Sequence, residues 1–285
     1  MRARLRPLGA LSPTRQVVGL QHHDAGEQRP ETARLAVLLA WTAGGVDAIG
    51  YVVLSHLFTA HMSGNTVGFG VATGQGHWDT MLERGMTIVF FAIGIAAGMA
   101  IGEMNLKRGQ RHPTVAVFGS EVVLLGAFLL FGARVIVDGA IPTTPAWQFY
   151  ALVALPTLAM GLQSATLRKV GQVRIHTTYV TGVLTSLMEV AVEFLFWLRR
   201  SRTADSAEAK QQSPVGQLRL YGSVMLAYLI GAVLGTVALT QWGLGSVLLP
   251  IAGLGVAIAR DLTHPHELAE PRRPAPGLPS GQRPR

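Results

Sequence analysis

Apolar residues in this chain fall in long blocks divided by short polar stretches. They show neither the alternation of a half-buried strand nor the one-sided stripe of a soluble helix. Residues 35–57 carry a single charge, Asp47, and residues 86–106 carry one, Glu103; residues 146–167 and 220–240 carry none. Crossing a bilayer takes about 20 apolar residues, and these blocks meet that length. The pattern predicts spans over 32–57, 86–106, 114–137, 146–167, 218–240 and 243–259, the fourth kinked or interrupted at Pro156.

Two stretches break the pattern. Phe58-Thr-Ala-His-Met-Ser-Gly-Asn-Thr66 opens a polar element over 58–75, and His176-Thr-Thr-Tyr-Val-Thr-Gly182 lies in a second over 175–198. In both, a Thr is followed four residues on by Ser or Thr and then at once by Gly: Thr59/Ser63/Gly64 and Thr177/Thr181/Gly182. Hydrocarbon offers no hydrogen bonds, so polar, Gly-bearing backbone at membrane depth survives only against protein or water. A pair of such interruptions in corresponding places points to a transporter's binding site. The flanking spans match in the same order. Gly45-x-Asp47-Ala48 pairs with Gly161-x-Gln163-Ser164, and the run from Phe91 to Gly98 pairs with Tyr228 to Gly235. The expectation is an all-α, polytopic integral membrane protein of two inverted repeats, 32–137 and 146–260. It has six spans and two short re-entrant or broken polar helices. A basic N-terminal arm, 1–31, and a Pro- and Arg-rich tail, 261–285, cannot build a core and are expected to be disordered.

Composition sharpens this picture. Only 14% of residues are charged, against about 25% in soluble domains. The net charge of +8 does not indicate nucleic acid, because Lys and Arg sit in the tails and short loops rather than on a basic helical face. Topology explains that clustering. With both polar elements re-entering, the termini and the loops at 107–113, 168–174 and 199–217 fall on the cytoplasmic side, as the positive-inside rule requires. The loops at 79–84 and 138–145 fall outside; Arg134, near the outer face, has Asp138 four residues on. The chain has no cysteine, which excludes disulfides, thiolate metal sites and cysteine nucleophiles.

Several residues carry candidate chemistry. Asp47 lies mid-span, where a charge costs roughly 2.5–3.5 kcal/mol and must pair, protonate or face water. Gln163 is its counterpart in the repeat. Thr177, Thr181, Thr185, Glu189 and Glu193 recur every four residues, a row that lines an aqueous path or bonds its own helix backbone. His61, four before Asn65, and His176 are candidates for proton transfer or for satisfied interfacial positions. Glu121, inside the third span, is an open candidate, whereas Glu103 and Lys107 form an i,i+4 pair. The expected substrate or ion site comprises Asp47, Thr59, Ser63, Asn65, Gln163, Thr177, Thr181 and Glu189. No metal-ligand spacing, cofactor motif or catalytic constellation is present, so neither cofactor nor enzyme activity is expected. The expected partners are membrane lipid and a small solute or ion. Gly94/Gly98/Gly102 and Gly231/Gly235 form small-residue faces for close helix packing, including contacts between copies of the chain.

The motifs Ala43 to Ala48, Leu57 to Thr66, Met160 to Ala165 and Thr177 to Gly182 together resemble the YoaK-like family of bacterial membrane proteins, the domain of unknown function numbered 1275. The resemblance covers about residues 33–260. Members of that family more usually carry Asn where His61 stands and Thr where Ser63 stands. It implies a multi-pass inner-membrane protein and names no substrate. Two functions from different classes follow: a small-solute transporter or channel with its site between the polar elements, and a membrane scaffold or sensor in which those elements only pack helices.

Overall fold

The computed structural model describes residues 30–110, 112–136, 146–166, 180–201 and 213–263. Backbone polar groups in an apolar medium find partners only within their own segment, so the long apolar blocks fold as helices. These are α1 (Pro30–Val53), α2 (Met62–Gln75), α3 (Trp78–Lys107), α4 (Pro113–Val135), α5 (Ala146–Thr166), α6 (Val180–Ser201), α7 (Val215–Trp242) and α8 (Leu248–Thr263). A 3-10 turn, Gly243–Val247, joins the last two. The described residues hold no strand, and the chain is all-α as its pattern predicts. Six stretches among them are long and apolar enough to cross a membrane: Ala33–Val53, Trp78–Asn105, Thr114–Val135, Trp147–Thr166, Val180–Arg199 and Val215–Thr263, the last containing two helices.

Element boundaries differ from the expected spans for identifiable reasons. α1 stops at Val53, four residues early, because Ser55 and His56 turn the chain in the left-handed region at φ 53° and 63°. α3 takes in Asp79, Glu83 and Arg84, expected in a loop; the break comes earlier, at Gly76 with φ 71°. Asp79 in its first turn also suits the positive end of the helix dipole. α5 runs unbroken through Pro156. The two polar elements differ in length. α2 has 14 residues, about 21 Å against a hydrocarbon core of about 30 Å, whereas α6 is a continuous helix of 22. The arm up to residue 29, the tail from 264, the loops at 138–145 and 168–174, and His176 and Thr177 lie outside the described residues.

Two helix pairs meet backbone to backbone. A Cβ built on Gly231 would lie 2.0 Å from the Trp41 carbonyl oxygen, and one on Gly235 3.0 Å from Gly45. A Cβ on Gly94 would lie 2.4 Å from the Leu158 carbonyl oxygen, and one on Gly98 3.0 Å from that of Leu162. Each step of four along one helix is matched by four along its partner, so α1 runs parallel to α7, and α3 to α5. Contacts this close admit only glycine. Gly94, Gly98, Gly231 and Gly235 thus face helices of the same chain. The two seams follow one rule. Gly44 would meet the Tyr228 carbonyl oxygen, and Gly161 that of Phe91, at 2.1 and 2.4 Å. Gly161 therefore packs as Gly44 does, not as Gly45 does. Counted from these two glycines, Asp47 corresponds in sequence to Ser164 rather than to Gln163.

Candidate functional site

Asp47 is buried, six residues before the last residue of α1. Beyond Val53 the chain reverses at Ser55 and His56 and runs back along the helix. Thr59 and Ala60 then reach the Asp47 carboxylate. The Thr59 and Ala60 amides donate to Oδ1, both at 2.7 Å, and the Thr59 hydroxyl donates to the same oxygen at 3.1 Å. Six residues of helix separate Asp47 from Val53, about 9 Å of return. The chain after α1 therefore lies back alongside that helix as far as Asp47.

The second oxygen faces two side chains. His61 Nδ1 lies 2.7 Å from Oδ2, and the Tyr228 hydroxyl of α7 donates to it at 2.8 Å. His61 Nδ1 and the Tyr228 oxygen are 3.0 Å apart, closing a triangle of polar atoms. Asp47 thus receives donors on both oxygens, and charge-assisted bonds of this kind are about twice as strong as neutral ones. They offset the cost of a carboxylate at this depth. Tyr51, Phe58, His61 and Tyr228 follow one another at ring separations of 4.7, 5.7 and 5.5 Å, an aromatic wall over the carboxylate. His61 remains 23% exposed at its side chain, so the cluster is open to its surroundings through the imidazole.

Asn65 closes the loop. Its Oδ1 accepts from the Phe58 amide at 3.1 Å and its Nδ2 donates to the Phe58 carbonyl at 2.7 Å. One side chain thereby holds both polar groups of a single residue, as a neighbouring strand would. Gly50 lets the loop close on α1, since a Cβ there would meet Thr59 Cγ2 at 2.4 Å. Gln163, on α5, is also buried; its Nε2 donates to the Leu39 carbonyl of α1 at 2.8 Å, while its Oε1 has no partner among the described residues.

The residues of this cluster lie inside the region that related sequences share. The family profile described as a protein of unknown function (DUF1275) matches residues 35–259. The chain belongs to the DUF1275 family. It is similar to the UPF0700 transmembrane protein YoaK of Bacillus subtilis (strain 168), with 32% identity over 171 residues, 59% of this chain and 71% of that protein. No solved structure matches it. The matched region makes this a transmembrane protein and contains every residue of the Asp47 cluster.

The remaining residues of the sequence-derived set of this family member are placed differently. Ser63 is exposed in the first turn of α2. Thr181, Thr185, Glu189 and Glu193 are all exposed along one side of α6, while Val183 and Val190 are its buried positions. Thr185 donates to the Thr181 carbonyl, within its own helix. Asp47, Thr59 and Asn65 therefore come together, Gln163 touches the same helix two turns away, and Thr181 and Glu189 stand apart from them. Tyr228 was not among the expected site residues. Its signal was a phenol in a chargeless span, where a buried hydroxyl needs a partner, together with a lone carboxylate elsewhere that needs donors. Among the described residues no group of three or more His, Asp or Glu could hold a metal ion.

Proposed function

We propose that this protein is a small-solute transporter or channel of the cell membrane, with its site where the two polar helices begin. One observation carries the reading: His61 before α2 and the first described turn of α6 both lie against α7 around Tyr228. His61, which precedes α2, contacts the Tyr228 hydroxyl. Val183, in the first turn of α6, belongs to the apolar cluster of Ala40, Val224 and Ala227 against which Tyr228 packs. A polar helix start beside a buried carboxylate, as α2 has, is how discontinuous transporter helices present a site.

The helix directions support two inverted halves. α4 and α5 are joined by a short link and lie antiparallel, with Phe131 beside Trp147. α4 also runs against α8, since Thr114 donates to Asp261 and Gly132 faces Leu244. α8 folds back on α7, which runs with α1. It follows that α5 opposes α1, its counterpart. These directions set the starts of α1, α4 and α7 and the ends of α3, α5 and α8 on one side, which positive charge assigns to the cytoplasm with both termini. In a chain free of cysteine, Asp79→Cys is expected to label from outside intact cells and Gln110→Cys is not. The reverse pattern would invert the orientation.

A non-transporting scaffold is the second reading, favoured by the full hydrogen bonding of Asp47. Stopped-flow swelling of proteoliposomes with neutral, cationic and anionic small solutes separates the two. Flux of at least one class is expected, lost in an Asp47→Asn variant that still elutes as the parent does on size exclusion. Absence of flux for every class from folded parent protein would sink the transport reading and leave the scaffold.

A further inference from the structure

Glu121 is a fully buried carboxyl on α4 with neither oxygen partnered among the described residues. Its position across the α4–α5 seam follows from helix geometry. Gly132 and Leu152 meet, a Cβ on the glycine lying 3.4 Å from Leu152 Cδ2. Glu121 lies eleven residues before Gly132, and Gln163 eleven after Leu152. Eleven residues make about three turns, so in this antiparallel pair both side chains return to the contacting faces at one level. Gln163 arrives with Nε2 committed to Leu39 and Oε1 unpartnered. Toward α8, Thr114 donates to Asp261, and two turns in from each stand Glu121 and the buried, apolar Leu254.

An ionised carboxylate left unpaired among apolar side chains costs far more than a neutral acid does. On this helix register two groups that both accept hydrogen bonds meet at one level, each with an unpartnered oxygen among the described residues, and one added proton would turn the acid into a donor. We propose that Glu121 and Gln163 form a buried proton-binding pair, in which the protonated Glu121 carboxyl donates to Gln163 Oε1. The step forms the Glu121 O–H bond and breaks one O–H bond of a solvent hydronium ion, which leaves as water.

No charged residue of α5 or of the Gly243–Val247 turn faces the pair. α8 brings Arg260 and Asp261, two turns away at the level of Thr114. α3 brings Glu103 and Lys107 at its end, and α1 brings Arg34 and the fully bonded Asp47. None of these supplies the missing donor at the level of Glu121. In the transport reading, on which this role alone rests, the pair makes the proton the coupling ion.

Infrared spectroscopy of the purified full chain in detergent tests the binding without any flux. Near neutral pH a carboxylic acid carbonyl band is expected. It should shift in D2O, disappear in Glu121→Gln, and move to higher frequency in Gln163→Leu as the acceptor is lost. Absence of the band in the parent, or its persistence in Glu121→Gln, would overturn the pair. So would its disappearance when sodium chloride replaces choline chloride, which would make the bound cation an alkali ion. Should Glu121→Gln fail to fold, the shift in Gln163→Leu still decides. A failed flux assay with the band present would sink the transport reading and leave the proton site; the opposite result would leave transport without this proton.

Discussion

The two polar elements share a sequence pattern and are held in different ways. In the first, a helix starts three residues after the leading Thr, at Met62 after Thr59; in the second, the described helix covers Val180–Ser201. The first start is clamped: Asp47 takes two backbone amides, a hydroxyl, an imidazole and a phenol, and Asn65 fastens the Phe58 peptide. The described part of the second, α6, packs on α7 through Val183 and Leu187, with its Thr and Glu row exposed. What holds the first start is a residue on the preceding span, Asp47.

Removing the clamp gives the largest expected effect. In Asp47→Ala the Thr59 and Ala60 amides lose their only acceptor in a buried place, and each orphaned donor costs about 1–3 kcal/mol. His61 and Tyr228 lose their shared partner as well. Melting followed by size exclusion in detergent is expected to show a variant that is largely unfolded or melts many degrees lower. An Asp47→Ala protein that melts with the parent would mean the clamp adds nothing to stability, and the contrast between the two elements would vanish.

Much of this half could be read from sequence. Asp47 stood out because it is the one charge in a long apolar block, and Thr59 to Asn65 because polar residues at such depth need partners. Which partners they find could not be read, since the reversal depends on two non-glycine residues, Ser55 and His56, adopting positive φ. Residues of these types rarely do so. Tyr228 lies 181 residues from Asp47, and no local pattern links them. The register of the two halves was ambiguous for a simpler reason. Gly44 and Gly45 are adjacent, either matches Gly161 by type, and only the approach of the Tyr228 and Phe91 carbonyls chooses between them. The row on α6 was visible as a four-residue period, but a period fixes that one face is polar and not which neighbour it meets.

That row supplies the smallest expected effect and the sharpest test of the contrast. Leu187 of α6 meets Gly222, while Val183 clusters with Ala227. The two helices thus run antiparallel, and residues after Leu187 descend toward the start of α7 at Val215. Glu189 and Glu193 are therefore level with the end of a span, near Arg219, where a carboxylate can reach water and costs little. They are exposed, and neither has a described partner whose loss would leave a buried charge. Glu189→Gln with Glu193→Gln is accordingly expected to shift the melting temperature by no more than about 2 °C, where Asp47→Ala removes most of the fold's stability. A drop comparable to that of Asp47→Ala would mean that something covers this face and engages both carboxylates. The second element would then be clamped too, from outside the helices that hold the first.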